Sequence, residues 1–167
     1  MHPRDIRIRR RCNSALAQLD PPRPFSVTAL CDQLAEQRRR PIHLHPLPAH
    51  AAASGTCGMW LATEAADHIF FEQRTGRLHQ EHIVLHELGH VLLDHYALGP
   101  DGDGAAGLLP DLDPKLIHRL LRRTNYTTPQ EKEAETLAGL IRTRAEAAGR
   151  RLDGVLGNLQ AAMGVRG

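Results

Sequence analysis

Apolar and polar positions change their period several times along the chain, and each change predicts a different kind of element. Helical spacing predicts a first helix over residues 4–19 and a second one that begins after Ser26 and ends before Pro41. Ser26 stands where its side chain can cap the second helix. Three short apolar or alternating stretches then predict strands, namely PIHLHPLP (41–48), CGMWLAT (57–63) and DHIFFE (67–72). The chain therefore begins with helices and continues into a small sheet.

A strongly apolar helix is predicted next, from about Leu78 to His95, and a longer one from about residue 128. Thr128 and Glu131 have the spacing of a capping box at the start of the later helix, and Pro129 fits its first position. Gly149 is the predicted end. A short helix is also predicted over 114–123, and the tail over 150–167 has a weak helical pattern interrupted by glycines. The element order predicts an α+β fold with a small mixed sheet.

The Gly-, Pro- and Asp-rich stretch 98–114 predicts a flexible connection or lid between the two later helices. Its DGDG is similar to an EF-hand calcium loop only superficially. Ala105 and Ala106 stand where that pattern requires a ligand and a glycine, so calcium is not predicted.

Chain length and composition set the broad class of the protein. A chain of 167 residues predicts one domain over 1–167, with an N-terminal helical segment (1–24), a core (25–148) and a tail (149–167). The hydrophobic content of 41% and charged content of 24% are typical of a soluble protein, and no apolar run approaches the roughly 20 residues of a membrane span. The N-terminus lacks an apolar signal region, so we expect a cytoplasmic protein without a membrane partner.

Cysteine and arginine usage exclude two further classes. Cys12, Cys31 and Cys57 are too few and too scattered for a disulfide framework, and we expect them to be reduced packing residues. Net charge is only +2, and the short arginine runs near the start and at 38–40 lack interleaved aromatic residues. These features argue against direct nucleic-acid binding.

The helix EHIVLHELGHVLLDHY (81–96) contains the motif HExxH among its apolar residues. His86 and His90 are one turn apart on one face, where both rings can reach a single zinc ion. Glu87 lies about 100° around the helix and can accept a proton from a water on the metal without being a ligand. Gly89 predicts close approach of another backbone or of the substrate. A chance motif in a chain with 11 histidines is the alternative, in which no metal binds.

Catalytic zinc commonly takes two histidines and one carboxylate, and QEKEAETLAGLI (130–141) supplies candidates for the third ligand. Glu133 falls within the apolar face of the later helix, where a buried carboxylate needs a cation, so it is the predicted ligand. Glu135 points towards solvent and is the second choice, while the predicted capping box accounts for Glu131. The predicted site is thus one Zn²⁺ per chain, bound by His86, His90 and Glu133, with Glu87 as catalytic base.

Several nearby polar residues have two interpretations. Asp94 is either an acceptor that orients a ligand imidazole or a solvated residue at the helix end. Tyr126 is a candidate donor to a developing oxyanion. His79 and His82 are interpreted as exposed first-turn residues, and the alternating pair His43 and His45 as surface residues of a half-exposed strand.

HELGH, preceded by DHIFFE and followed by YTTPQEKEAETLAGLI, resembles the ImmA/IrrE family of zincin-like metallopeptidases over roughly residues 25–148. That family joins HExxH to a later helix with the pattern E-A-(N/D)-x-F-A. Glu133 and Ala134 match it, whereas Glu135 replaces the usual Asn or Asp, and Leu137 the usual Phe. The resemblance implies a zincin-like fold and cleavage of a helix-turn-helix repressor or antitoxin-like regulator, often encoded nearby.

Two functions of different class are therefore predicted. One is a zinc-dependent endopeptidase in which DHIFFE, as a sheet edge, holds an extended protein substrate by backbone hydrogen bonds. The other is a zinc-stabilised binding module that sequesters a regulator without cutting it. The two share every metal ligand and differ in whether Glu87 acts as a base.

Overall fold

The computed structural model describes residues 3–53, 55, 57–63, 65–95, 119–121 and 126–163. In chain order the elements are α1 (Pro3–Ala17), α2 (Val27–Arg38), β1 (Ile42–Pro46), α3 (Ala49–Ala53), β2 (Gly58–Ala62), β3 (Asp67–Phe71), α4 (Arg77–Leu92), β4 (Arg119–Leu121) and α5 (Thr128–Ala162). Helices and strands alternate irregularly, which confirms the predicted α+β class.

The sheet has the strand order β1-β3-β2-β4. β1 is parallel to β3, while β2 is antiparallel to both β3 and β4, so the sheet is mixed as predicted. β3 has a partner on each side, and its backbone is therefore occupied. The prediction that DHIFFE forms a free edge for substrate is wrong, because β1 joins β3 on the side that β2 leaves open.

The two faces of the sheet pack against different partners. Ile42, Trp60 and Ile69 face a large core that the helices α1, α2, α4 and α5 complete. Met59, Leu61, Phe70 and two residues at or near α3 form a smaller apolar cluster that includes Leu47 and Ala51. Since every residue of β2 is buried, this strand lies between the two clusters. The large core brings α4 and α5 together, and these helices carry the candidate site.

The second helix begins where the sequence predicts. The amide of Ala29 donates to the side chain of Ser26, and the chain leaves α2 through Arg39 in the left-handed region before Pro41. The buried carboxylate of Asp67 at the start of β3 then accepts from Arg38 at 2.7 Å and from Arg40 at 3.0 Å. This pairing fixes the end of α2 against the sheet.

The later helix differs from its prediction at both ends. The capping box is formed by Thr127 and Gln130, one residue earlier than the predicted Thr128 and Glu131. The motif T-x-x-E/Q occurs twice in TTPQE, and only the first copy is used. Gly149 does not end α5, because its surroundings are open and one glycine costs a helix only about 1 kcal/mol.

Other boundaries differ less. The predicted short helix over 114–123 is wrong at Arg119–Leu121, which pair with β2 as β4. The rest of that helix, and the predicted connection at 98–114, lie outside the described residues. Within the described ranges, no helix is both long and apolar enough to cross a membrane.

Candidate metal centre

The two histidines of HExxH meet on the buried side of α4. His86 is 5% exposed and His90 is fully buried. Their Nε2 atoms lie 3.2 Å apart, as expected when side chains four residues apart share one helical face. The predicted pair of histidine ligands is therefore brought together by a single element.

Glu131 supplies the carboxylate nearest to these two nitrogens. Its oxygens lie 3.1 Å from Nε2 of His86 and 3.8 Å from Nε2 of His90. Of the described residues, His86, His90 and Glu131 are the set whose donor atoms all lie within 4.8 Å of one another. Because the capping box uses Gln130, the side chain of Glu131 is available to face α4.

Glu133, the predicted third ligand, does not join this set. Its carboxylate is buried and accepts from the guanidinium of Arg11 at 2.6 Å and from Nε2 of His95 at 2.8 Å. A buried carboxylate does need a cation, as the sequence indicates. The cation is an arginine of α1, which local helical phase cannot reveal. In the described residues it is Glu131, and not Glu133, that forms a close group with His86 and His90.

Glu135, the second choice, lies beside His86 rather than in the three-residue set. Its carboxylate is 3.1 Å from Nδ1 of His86 and 3.2 Å from Nε2 of His82. Burial raises the pKa of Glu135, but the hydrogen bond from His86 and the charges of both histidines outweigh burial and lower it. An ionised Glu135 can accept a hydrogen bond from Nδ1–H of His86, and in that tautomer the lone pair on Nε2 faces His90 and Glu131.

The three donors fit a catalytic zinc ion. Two imidazoles and one carboxylate with a further position open are a common set for this metal. Ligands at roughly 2.0–2.1 Å from a tetrahedral ion lie about 3.3 Å from one another. The observed separations of 3.1, 3.2 and 3.8 Å lie around this value. His86, His90 and Glu131 could therefore hold Zn²⁺ after small side-chain adjustments.

Glu87 occupies a narrow space between α4 and the start of β2. The residue is 1% exposed, and a Cβ placed on Gly58 would lie only 2.7 Å from its Oε1 atom. The absence of a side chain at Gly58 is thus what lets the carboxylate lie against the strand. Glu87 keeps the position on α4, next to His86, that the HExxH motif predicts for a base.

Tyr126 completes the inner wall of the site. Its ring stacks on the His90 ring with centroids 3.7 Å apart and an angle of 10° between the planes. Burial raises the pKa of Tyr126, and the charges of Glu87 and Glu131 raise it further, so the hydroxyl keeps its proton. That hydroxyl is buried and has no hydrogen-bond partner among the described residues. It is therefore a buried donor on the ring that stacks on His90.

The backbones of α4 and α5 are in close contact at Gly89. A Cβ on Gly89 would lie 2.9 Å from both Cα and O of Ala134. The prediction that another backbone approaches Gly89 is confirmed, and that backbone is α5. This contact sets the distance between the helix that carries the two histidines and the helix that carries Glu131.

The site opens onto a cleft of about 580 Å³ between α1 and α5. His86 and Glu131 are the candidate ligands in its lining, and Glu131 is 27% exposed. Asp5, Ile8 and Arg9 of α1 and Lys132 of α5 are among its other walls. The N-terminal helix thus borders the only candidate ligands that face solvent in the described part of the chain.

The remaining predicted residues have simpler positions. Asp94 is exposed and has φ of 55°, so it turns the chain after α4. It is therefore a solvated residue at the helix end, the second of its two interpretations. His79 is exposed as predicted, and its ring lies 3.0 Å from the hydroxyl of Thr75. Cys12 and Cys31 are buried free thiols, as predicted.

The surface interpretation of the β1 histidines holds for His43 only. His45 is half-buried, stacks on Phe70 and lies 2.9 Å from Nδ1 of His68. Burial lowers the pKa of His68 to about 4, and the charges of His45 and His43 add to the effect.

Two residues of the site were missed by sequence reasoning, His95 and Arg11. His95 is 1% exposed and lies 3.0 Å from His90 through their Nδ1 atoms. Burial lowers the pKa of His95, and this effect outweighs the hydrogen bond and the charge of Glu133, which act in the opposite direction. His95 lies five residues after His90, and this short spacing in the sequence could have indicated a contact between them. Arg11 is separated from Glu133 by 122 residues, so no sequence pattern connects the two.

Comparison with known protein families, with curated proteins and with solved structures finds no match for the chain in any of the three. The arrangement of donors around His86, His90 and Glu131 is thus the main observation from which a function can be argued.

Proposed function

We propose that the protein is a zinc-dependent endopeptidase of the ImmA/IrrE type, with a zincin-like fold, that cleaves a helix-turn-helix repressor or antitoxin-like regulator. The observation that carries the proposal is the convergence of His86, His90 and Glu131 from two helices. Glu87 follows His86 directly on α4. The identity of the substrate rests on the resemblance in sequence alone.

The chain's own groups have separate tasks in this chemistry. When bound, zinc supplies a Lewis acid that polarises the scissile carbonyl and makes water a better nucleophile at neutral pH. Glu87 takes a proton from the attacking water and delivers it to the leaving amine, so no covalent enzyme intermediate is needed. Tyr126, which keeps its proton, donates to the oxygen on which negative charge develops.

The position of the cleft suggests how a protein substrate reaches the site. A segment that lies between α1 and α5 passes His86 and Glu131, which are the accessible part of the donor set. Charges of both signs line this cleft, from Asp5 and Arg9 on one wall to Lys132 on the other. A polypeptide with mixed charge suits such a surface.

The decisive experiment separates cleavage from binding. Glu87→Gln keeps the size of the side chain but removes the base. The variant should therefore retain about one equivalent of zinc but no longer cleave the regulator encoded nearby. Cleavage is measured by mass spectrometry of the fragments. Gln130→Glu, in the capping box, is a matched control that should keep both. If Glu87→Gln keeps the full biological effect while no fragments form with wild type, the protein is a binding module instead.

Metal content tests the first step independently. Wild-type protein freed of chelator should contain about one zinc per chain, and His86→Ala should contain little. Glu131→Gln should lower the zinc content as well. If Glu133 were the ligand instead, Glu133→Gln would lose more zinc than Glu131→Gln. Zinc-free wild-type protein that does not take up the metal would contradict the proposal.

A further inference from the structure

A continuous series of polar contacts leads from α1 to the candidate ligand His90. The guanidinium of Arg11 donates to Glu133 at 2.6 Å, and the carboxylate of Glu133 lies 2.8 Å from Nε2 of His95. Nδ1 of His95 lies 3.0 Å from Nδ1 of His90. None of these residues other than His90 belongs to the three-residue donor set.

With His95 as a neutral ring, hydrogen-bond rules give this series one direction. An ionised carboxylate only accepts, so Nε2 of His95 carries the proton and donates a hydrogen bond to Glu133. The other nitrogen of a neutral imidazole is an acceptor, and Nδ1 of His95 therefore accepts from Nδ1–H of His90. His90 is left with the lone pair on Nε2, the atom that faces His86 and Glu131. This is the tautomer that a metal ligand needs.

The backbone around His95 supports the same geometry. Asp94 in the left-handed region reverses the chain after α4, and the amide of His95 donates to the carbonyl of His90 at 2.9 Å. Arg11 also donates to the carbonyl of Leu93 at 2.6 Å. One guanidinium thus holds both the turn that carries His95 and the carboxylate that His95 contacts.

We propose that α1 is a working part of the metal centre, in which Arg11, Glu133 and His95 are positioning residues that hold His90 in its metal-binding tautomer and orientation. This inference rests on the proposed zinc site and adds to it the function of the N-terminal helix. Displacement of α1 would therefore loosen the centre without touching any ligand.

Zinc affinity, measured by competition with a chromogenic chelator at fixed pH, tests the proposal. Arg11→Gln, Glu133→Gln and His95→Phe should each bind zinc about 10–100-fold more weakly than wild type, the usual loss when an outer contact of a ligand histidine is removed. Arg11→Lys keeps the charge but cannot contact both Glu133 and the carbonyl of Leu93, so its zinc affinity should lie between those of wild type and Arg11→Gln. Arg10→Gln, on the exposed surface of α1, should bind within about twofold of wild type.

A spectroscopic signature distinguishes positioning from a general loss of structure. In zinc-loaded protein with ¹⁵N-labelled histidine, wild type should show a protected Nδ1–H proton on His90, and His95→Phe should lose it. Circular dichroism in excess chelator checks that the variants fold. If His95→Phe does not fold, the isosteric Glu133→Gln is measured in its place.

The outcomes separate the two proposals. Wild-type protein that binds no zinc overturns the metal centre and this inference with it. Wild-type protein that binds zinc, together with Arg11, Glu133 and His95 variants within about twofold of it, overturns the positioning role alone. Weaker binding with the His90 Nδ1–H signal unchanged in His95→Phe also contradicts the positioning role.

Discussion

Gly89→Ala tests whether the close contact of α4 and α5 determines the geometry of the candidate metal site. The added methyl group would lie 2.9 Å from Cα and O of Ala134 and 3.2 Å from its Cβ. Carbon atoms pack at about 3.5–4.0 Å, so the two helices must separate by roughly 0.6–1 Å. Both atoms at 2.9 Å are backbone, and a change of rotamer cannot relieve the contact.

The change in stability follows from two contributions. Overpacking costs about 1–3 kcal/mol, and replacing a helical glycine by alanine returns about 1 kcal/mol, so the net loss of stability is up to about 2 kcal/mol. Glu131 lies three residues before Ala134 on α5 and moves with it. Metal–ligand distances tolerate only about 0.2 Å, so we expect zinc affinity to fall on the order of 10-fold or more.

Two measurements and one matched control make this prediction sharp. Chemical denaturation in excess chelator gives the change in stability, and chelator competition gives the change in zinc affinity. Gly139→Ala adds the same methyl to α5 where nothing lies within 4 Å, and should raise stability by up to about 1 kcal/mol with zinc affinity unchanged. If Gly89→Ala behaves like Gly139→Ala, the helices are not in the contact described.

Three further predictions address the base, the sheet and the pH dependence. Gly58→Ala should displace the Glu87 carboxylate and lower kcat about 100-fold or more, with zinc content unchanged; wild-type turnover would show that the contact is not restrictive. Asp67→Ala leaves the arginines at the end of α2 without their buried acceptor and should cost about 3 kcal/mol in urea unfolding, whereas a loss under 1 kcal/mol would contradict that role. The pKa of His68 falls from 6.5 to about 4 on folding, so the unfolded chain binds more protons between these values and stability in chelator falls as pH is lowered through this window. The full shift corresponds to about 3 kcal/mol, which partial exposure reduces to on the order of 1–2 kcal/mol, and His68→Gln should flatten that part of the pH profile relative to wild type.

The sequence predicts helices and strands well where local chemistry is unambiguous. The cap at Ser26 and the stop before Pro41 define α2, and the alternating or apolar runs define β1, β2 and β3. It failed where two local solutions compete, as in TTPQE, which contains two overlapping capping boxes. Choosing the second box assigned Glu131 to the cap and removed it from the candidate ligands.

The candidate site divides in the same way. The placement of His86, Glu87 and His90 follows from helical spacing, because a single helix fixes the relative positions of its side chains. Which acid joins them depends on how α5 lies against α4, and the contact at Gly89 and Ala134 sets that relation.

By itself, the sequence determined that one helix carries two histidines and a glutamate in the spacing HExxH, and that a buried acid on a later helix needs a positive partner. Only the tertiary structure decided that Arg11 is the partner of Glu133 and that Glu131 faces the histidines. The physical reason is that burial and periodicity are local properties, whereas the charge that satisfies a buried group can come from any part of the chain that folding brings within hydrogen-bonding distance.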